Sequence, residues 1–532
     1  MPNPSDLRAP GLEPVATRVG DVGVGPAALV DAGGRVAPVS SAGRDWSVQW
    51  WIGSEDRWHI PTFEATCRQR LVESMPVVET TIKVPGGDAS ARCYGAVLAG
   101  SDRRGVVIDV TNASAIPFAV AFTVVSREPM TTDGSTVWIA GVAVLRLAKA
   151  AARFGHGTDV EALRCELDAE RFVERPESAV TGVLALIVPL PHTASTIAVL
   201  DTRAPVRSRR RGATEPVGGP LDRATVPSSD QVVAGWAAFV QQGTRLDLAD
   251  RALTASFDAA RADLLMGPEP TADAADIAAI ATATARLGRL GEMGELISVL
   301  VDCQKLDGRI DSAEPLEATS RFLAAVGALW SAGVGAEQVE ALIGPVAKAG
   351  HWLGHGRRRP SFGSGAASSS AVARSLESVV PALMAIGQPD VAGEFVQVAA
   401  SFAANHSDPS ERDIRPVVSA VRRSADLVVD RLDAGVAETS DGLDLFATWL
   451  PTAAGRPLEV HEVRTRWGLA SCALRWHGER PALLWELVAY PNRAIAVGEH
   501  PRWTTTALDP GWSSTELEGE ALLAAPRIPD FS

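Results

Sequence analysis

From Val22 to about residue 200 the hydrophobic positions come in short runs: VGVGPAALVDAGG, RDWSVQWWIG, VVETTIKV, RCYGAVLA, GVVIDVTNAS, FAVAFTVV, STVWIAGVAVLRL and TGVLALIVPL. Each holds four to eight apolar residues rich in Val, Ile, Thr or aromatics, and turn formers such as PGGD, SDRRG and TDGS separate them. Runs of that length and composition read as strands, and many strands with little helical periodicity between them predict an antiparallel β-sandwich. LRLAKAAARFG fits either an edge strand or a short helix.

The period changes near residue 229. In SSDQVVAGWAAFVQQ the residues Val232, Val233, Trp236, Phe239 and Val240 recur at helical spacing behind Ser228, Ser229 and Asp230, any of which can cap the first turn. LADRALTASFDAARADLLM gives a second helix, with Leu253, Phe257 and Leu264 on one face. TADAADIAAIATATARLGRL and GEMGELISVLVDCQ form a helical hairpin around glycine. EATSRFLAAVGALWSAG, AEQVEALIGPVAKAGHWLG, SSSAVARSLESVVPALMAIG, PDVAGEFVQVAASFAANH and IRPVVSAVRRSADLVVDRLDAG continue the series. Alanine dominates these segments, and it combines high helix propensity with close helix approach. About nine or ten helices are predicted, an α/α array of hairpins that curls into a toroid or stacks as a solenoid. GHGRRRPSFGSGAASSS, at 354–370, is its one long interruption.

After DGLDLFATWLPTAAG the pattern returns to strands: LEVHEVRTRWG, LASCALRWHG, RPALLWELVA, RAIAVG, RWTTTAL and GEALLA. SCALRWHG and RPALLWEL read as a hairpin around HGER, packed through Trp476 and Trp485. The fold class is therefore multidomain α+β: an N-terminal antiparallel β-sandwich, a central α/α-hairpin, toroid-like domain and a small C-terminal β domain. The expected divisions are a flexible lead-in at 1–20, the sandwich at 21–200, a linker at 201–228, the helical domain at 229–436 and the last β domain at 437–532. The linker carries Arg203, Arg207, Arg209, Arg210 and Arg211, which read as solvated.

Composition narrows the function more than the fold. The 532 residues are 46% hydrophobic and 21% charged, as in folded globular proteins. A net charge of −14 argues against a nucleic-acid partner, which needs concentrated Lys and Arg. No apolar run reaches the length of a membrane span, and no membrane partner is expected. The N-terminus lacks a basic start followed by an apolar stretch, so the expected location is cytoplasmic. Cys67, Cys93, Cys165, Cys303 and Cys472 are widely spaced, odd in number and without a CxxC pair; free thiols are expected. The histidines form neither HxH nor HExxH, His461 and Glu462 point to opposite faces of a strand, and the glycine-rich pieces lack the setting of a nucleotide loop. Neither a metal nor a cofactor is implied.

Strands, then helical hairpins, then a short β tail is similar to the layout of the six-hairpin glycoside hydrolases, which include bacterial glucoamylases and glycogen-debranching amylo-glucosidases. WAAFVQQGTRLDLADRALTASFDAARADLLM resembles their entry helices, LGRLGEMGELISVLVDCQKLDGRIDS a hairpin ending in a substrate loop, and LRWHGERPALLWEL the strands of their β domain. The resemblance implies an acid carboxyl in the loop after the Asp-Gly pair. In DGRIDSAEPLEATSRF this makes Glu314 the positional candidate and Asp311 the second, although Ala313 and Pro315 stand where the family has other neighbours. Asp307 and Glu317 flank them as candidate ligand contacts.

Glycosidic cleavage needs two carboxyl groups across the sugar, about 5 Å apart for retention and roughly 6.5–9.5 Å for inversion. A base carboxylate is missing from the loop HWLGHGRRRPSFGSGAASSS, which offers His351, Trp352, His355, Arg357, Arg358 and Arg359 instead. His351 and Trp352 are candidate contacts to a sugar or anion. In the N-terminal block EDRWHI gathers Glu55, Asp56, Arg57, Trp58 and His59, of which Trp58 and His59 are candidate ligand contacts. Aromatic content is only 5%, low for walls that stack on sugar rings. The leading expectation is a glycosidase-like protein that has lost classical catalysis and recognises a glycan or oligosaccharide, or serves a structural or regulatory role with a protein partner. The alternatives are an active hydrolase on an α-linked glucan and a helical interaction scaffold unrelated to sugars.

Overall fold

The computed structural model describes residues 16–39, 46–99, 103–175, 178–201, 220–248, 250–269, 272–356, 369–403, 419–448, 454–491 and 500–525. The chain divides into two compact units, Met1–Ala238 and Phe239–Ser532. The arginines expected in the linker at 203–211, Arg357–Arg359, and the expected strand RAIAVG lie outside the described residues.

The first unit is a curled sheet of fifteen strands, all paired antiparallel. Its longest strand, Phe118–Thr132, lies between Trp46–Gly53 and Val180–Leu190, with Ala121 opposite both Trp51 and Ile187. The two-residue period sorts these three strands onto two cores. Val48, Trp50, Ile52, Val120, Phe122, Val124, Leu184, Leu186 and Val188 enter the main core, whereas Trp51, Ala121, Val183, Ala185 and Ile187 face a second, smaller one. Each Val, Leu, Ile or Phe side chain among them, once fully buried, contributes about 1.5–3 kcal/mol.

The second core is covered by a helix that the hydrophobic pattern does not announce, α1 (Val160–Asp168). Asp159 caps it by accepting from the Ala162 amide at 2.8 Å, and Leu163 and Leu167, one turn apart, are buried. The ambiguous LRLAKAAARFG resolves into two strands, Val142–Leu147 and Arg153–Gly157.

Ten helices follow among the described residues: α2 (Ser229–Val240), α3 (Arg251–Met266), α4 (Ala274–Arg286), α5 (Leu290–Asp302), α6 (Pro315–Ser331), α7 (Ala336–Glu340), α8 (Ile343–Gly356), α9 (Ser369–Ala385), α10 (Pro389–Ala403) and α11 (Ala420–Gly435). Ser228 and Gln231 close a reciprocal cap on α2, each side chain accepting from the other's amide. The single helix expected from AEQVEALIGPVAKAGHWLG is broken into α7 and α8.

α4 and α6 are buried almost all round. α6 packs against both α4 and α9, and Ala278, Ala281, Phe322, Ala325, Leu376 and Ala382 belong to the core they share. Gly327 lets α6 approach α9 closely, since a Cβ there would stand 2.8 Å from the Ser378 carbonyl carbon.

Two small sheets complete the unit. The first orders Arg245–Asp247, Leu458–Thr465, Gly468–His477, Arg480–Val488 and Glu518–Leu522. Its central hairpin is the one expected, with Trp476 opposite Pro481 and Trp485 opposite Cys472. The second contains Gly442–Leu445 paired parallel with Arg502–Thr504. Phe257 and Leu264 of α3, Ile280 of α4 and Val428 and Leu432 of α11 share one core with Val460, Leu474, Trp485 and Trp503 of these sheets.

Candidate functional site: a charge cluster around Arg422

The loop that carries the candidate acid is held by the start of α4. Asp273 caps that helix through the Ala275 amide at 2.9 Å. The same carboxylate accepts from the Ser312 hydroxyl at 2.5 Å and the Ala313 amide at 3.0 Å. Burial works against the charge on Asp273, but these donors outweigh it and hold the carboxyl below its ordinary range. Ser312 in turn accepts from the Glu314 amide at 3.0 Å. Glu314 thereby occupies the cap position of α6, with Pro315 in the first turn, where its missing N–H is harmless.

Glu317 lies one turn into α6 and is buried. The opposing charge comes from α11, whose capping Ser419 accepts from the Arg422 amide at 3.2 Å. The Arg422 guanidinium is buried among three carboxylates. It pairs with Glu317, stands 3.6 Å from Glu314 and 3.8 Å from Asp276 of α4. Arg321, one turn beyond Glu317, bonds it at 2.8 Å and reaches Asp426 of α11 at 2.9 Å. Burial pushes the Asp276 carboxyl up, opposed by the Ser419 hydroxyl and the Arg422 charge. Ser424 donates to Asp263 at 2.7 Å and so ties α11 to α3 as well.

Of the residues singled out in the sequence, Glu314 and Glu317 come together on Arg422. Asp311 faces outward and pairs with Lys305 at 2.9 Å. Asp307 accepts from the Arg309 amide at 3.2 Å within the preceding turn, at whose tip Leu306 is fully exposed. His351 and Trp352 lie on α8: His351 is exposed with its ring 3.9 Å from that of His355, and Trp352 packs half-buried on the helical core.

Trp58 and His59 belong to the first unit. The Trp58 indole donates to the Leu167 carbonyl at 3.3 Å, which fastens α1. His59 is buried with a carboxylate at each ring nitrogen, Glu64 at 3.1 Å and Asp56 at 3.0 Å, and Glu64 also pairs with Arg57 at 2.7 Å.

Arg422, Arg321, Asp276, Asp273 and Asp426 were not foreseen. Only Asp276 carried a signal, a charged residue in the apolar, Ala-rich start of α4, among Ala274, Ala275, Ile277 and Ala278. Among the described residues no group of three or more His, Cys, Asp or Glu side chains is placed to hold a metal ion. No helix among them is long and apolar enough to cross a membrane.

No known family model matches the chain, and no curated protein matches it. Among solved structures it is similar to a bacterial glucoamylase complexed with acarbose, at 9% identity and a TM-score of 0.49, over 75% of this chain and 68% of that one. That similarity is distant and structural, and it transfers no residue role.

Proposed function

We propose that this protein is a non-hydrolytic scaffold of the sheet–helical hairpin–sheet type, in which the acid residues of the hairpin loops serve structure. The observation that carries this reading is the single guanidinium of Arg422 standing among Asp276, Glu314 and Glu317. Cleavage of a glycosidic bond needs the gap between two carboxyls to hold the sugar and, for inversion, a water. Here a buried cation fills that gap. The faces of α6 against α4 and α9 support the same reading, because they are packed with Ala, Leu and Phe side chains.

The test is sugar release from maltooligosaccharides, glycogen and trehalose by the wild type and by Glu314→Gln. The expected outcome is no release by either chain. Release by the wild type that is lost in Glu314→Gln overturns the proposal and makes Glu314 the acid.

A further inference from the structure

A groove elsewhere on the second unit has the opposite character. One wall is a stripe of α5 at positions 290, 294, 297, 298 and 301, the spacing of one helical face. The other is the end of α6 with the turn after it and α7. Leu290, Ile297, Val301, Leu329, Val334 and Leu342 line it, and its volume is about 530 Å³. That volume falls in the range of small-molecule sites, about 300–1,000 Å³. No aromatic or charged side chain lines it, so it offers neither a stacking platform for a sugar nor a partner for a buried charge. Branched aliphatic walls of this kind suit a hydrocarbon chain.

The turn that forms the groove's end is fixed. Gly333 has φ +88°, and a Cβ there would stand 2.5 Å from the Tyr490 ring, whose hydroxyl donates to the Ser331 carbonyl at 2.8 Å. At the other end of the turn Gln338 accepts from the Gly335 amide at 2.7 Å. On α5, by contrast, Gly294 opens the groove: a Cβ there meets nothing within 4 Å.

The surroundings are predominantly acidic, with Arg289, Lys305 and Lys348 at their edges. Residues 290–304 and 334–347 contain Glu292, Glu295, Asp302, Glu337 and Glu340 and no Lys or Arg. Glu292 is paired with Arg289 at 3.5 Å. The other four are exposed, and among the described residues none has an ion pair. Lys305 is paired with Asp311 at 2.9 Å, and Arg464, beyond the turn, donates to the Ala332 carbonyl at 2.7 Å.

We propose that this groove binds a small cationic amphiphile, with its aliphatic chain along α5 and its ammonium group at the acidic rim. The proposal is independent of the scaffold reading above.

The experiment is calorimetric titration of the full chain with dodecyltrimethylammonium, and separately with dodecanoate, each below its micelle concentration. Gly294→Leu fills the groove from a position with open space and raises helix propensity. Gly291→Leu adds the same side chain at another open position of α5 that does not line the groove. The expected result is saturable binding of the cation by the wild type and by Gly291→Leu. Binding should weaken by about tenfold or more in Gly294→Leu, with dodecanoate weaker by a similar factor. No saturable binding, or equal binding by Gly294→Leu with an unchanged unfolding temperature, overturns the site. Dodecanoate binding as tightly as the cation overturns the assignment of the ligand's charge. Should Gly294→Leu unfold, Ser298→Leu blocks the same wall and is read in the same way.

Discussion

Replacing Arg422 by Met tests whether the charge cluster holds the helical array together. The substitution keeps most of the side-chain volume but leaves Asp276 and Glu314 without their cation, while Glu317 retains Arg321. The side chains of Arg422, Glu317 and Asp276 are only 8%, 10% and 12% exposed, so water compensates little. Removing one partner of a buried pair costs about 3–5 kcal/mol, because the remaining charge stays desolvated. For a unit of this length each kcal/mol lowers Tm by about 2 °C, which gives a fall of roughly 6–10 °C. The assay is urea and thermal unfolding followed by far-UV circular dichroism, with Arg422→Lys as companion. Lysine restores the charge without the planar fork and should recover part of the loss. A loss below about 1 kcal/mol for Arg422→Met, or one abolished by about 1 M salt, would refute the reasoning, since that is the behaviour of an exposed pair.

The pH dependence has a sign set by Asp273. Its folded-state pKa lies below the ordinary 3.8, so the stability it contributes is present above that value and is lost as pH falls through the folded pKa. Asp276, raised by burial, works in the opposite sense: its contribution is present below 3.8 and is lost as pH rises through its own folded value. Asp273→Asn retains a capping residue, and its stability should therefore fall less steeply than the wild type's below pH 3.8; identical acid limbs in urea titrations at stepped pH would remove Asp273 from the account. Gly333→Ala should cost about 1–3 kcal/mol through its positive φ and its clash with Tyr490, and Tyr490→Ala should relieve only the clash, a separation that a double-mutant cycle measures directly.

The hydrophobic periods disclosed the architecture well because most elements bury one face. Alternation at Trp50, Trp51 and Ile52 and the helical spacing of Phe257 and Leu264 are properties of the local chain, and each survives in the folded core. α1 escaped because its buried residues are few and its helical stretch lies between strand-like text, with Asp159 as the one clear start signal. The break between α7 and α8 did carry a sign, Gly344-Pro345, since a proline suits the first turn of a restarting helix and not its interior. The cluster was legible only in part. Glu314 stood out through its place after the Asp-Gly pair, but its partners come from α4 and α11, and nothing local in ADAADIAAI or SAVRRSADL says that they meet. Pairings across that distance belong to the tertiary fold.

The short strand Arg245–Asp247 has a consequence for how the chain is made. Among the described residues it precedes nine of the ten helices that begin at Ser229, yet its only ladder partner is Leu458–Thr465, with Arg245 opposite His461. During synthesis this strand leaves the ribosome more than two hundred residues before the segment that completes it. Domains with such distant closures form late and slowly, because the loop must be ordered before the contact rewards it. The helices between can nucleate as they emerge, but the unit cannot lock until its last sheet arrives. A chain stopped short of residue 458 should therefore leave the Leu246, Phe257 and Val428 faces uncovered and behave as a client for chaperones.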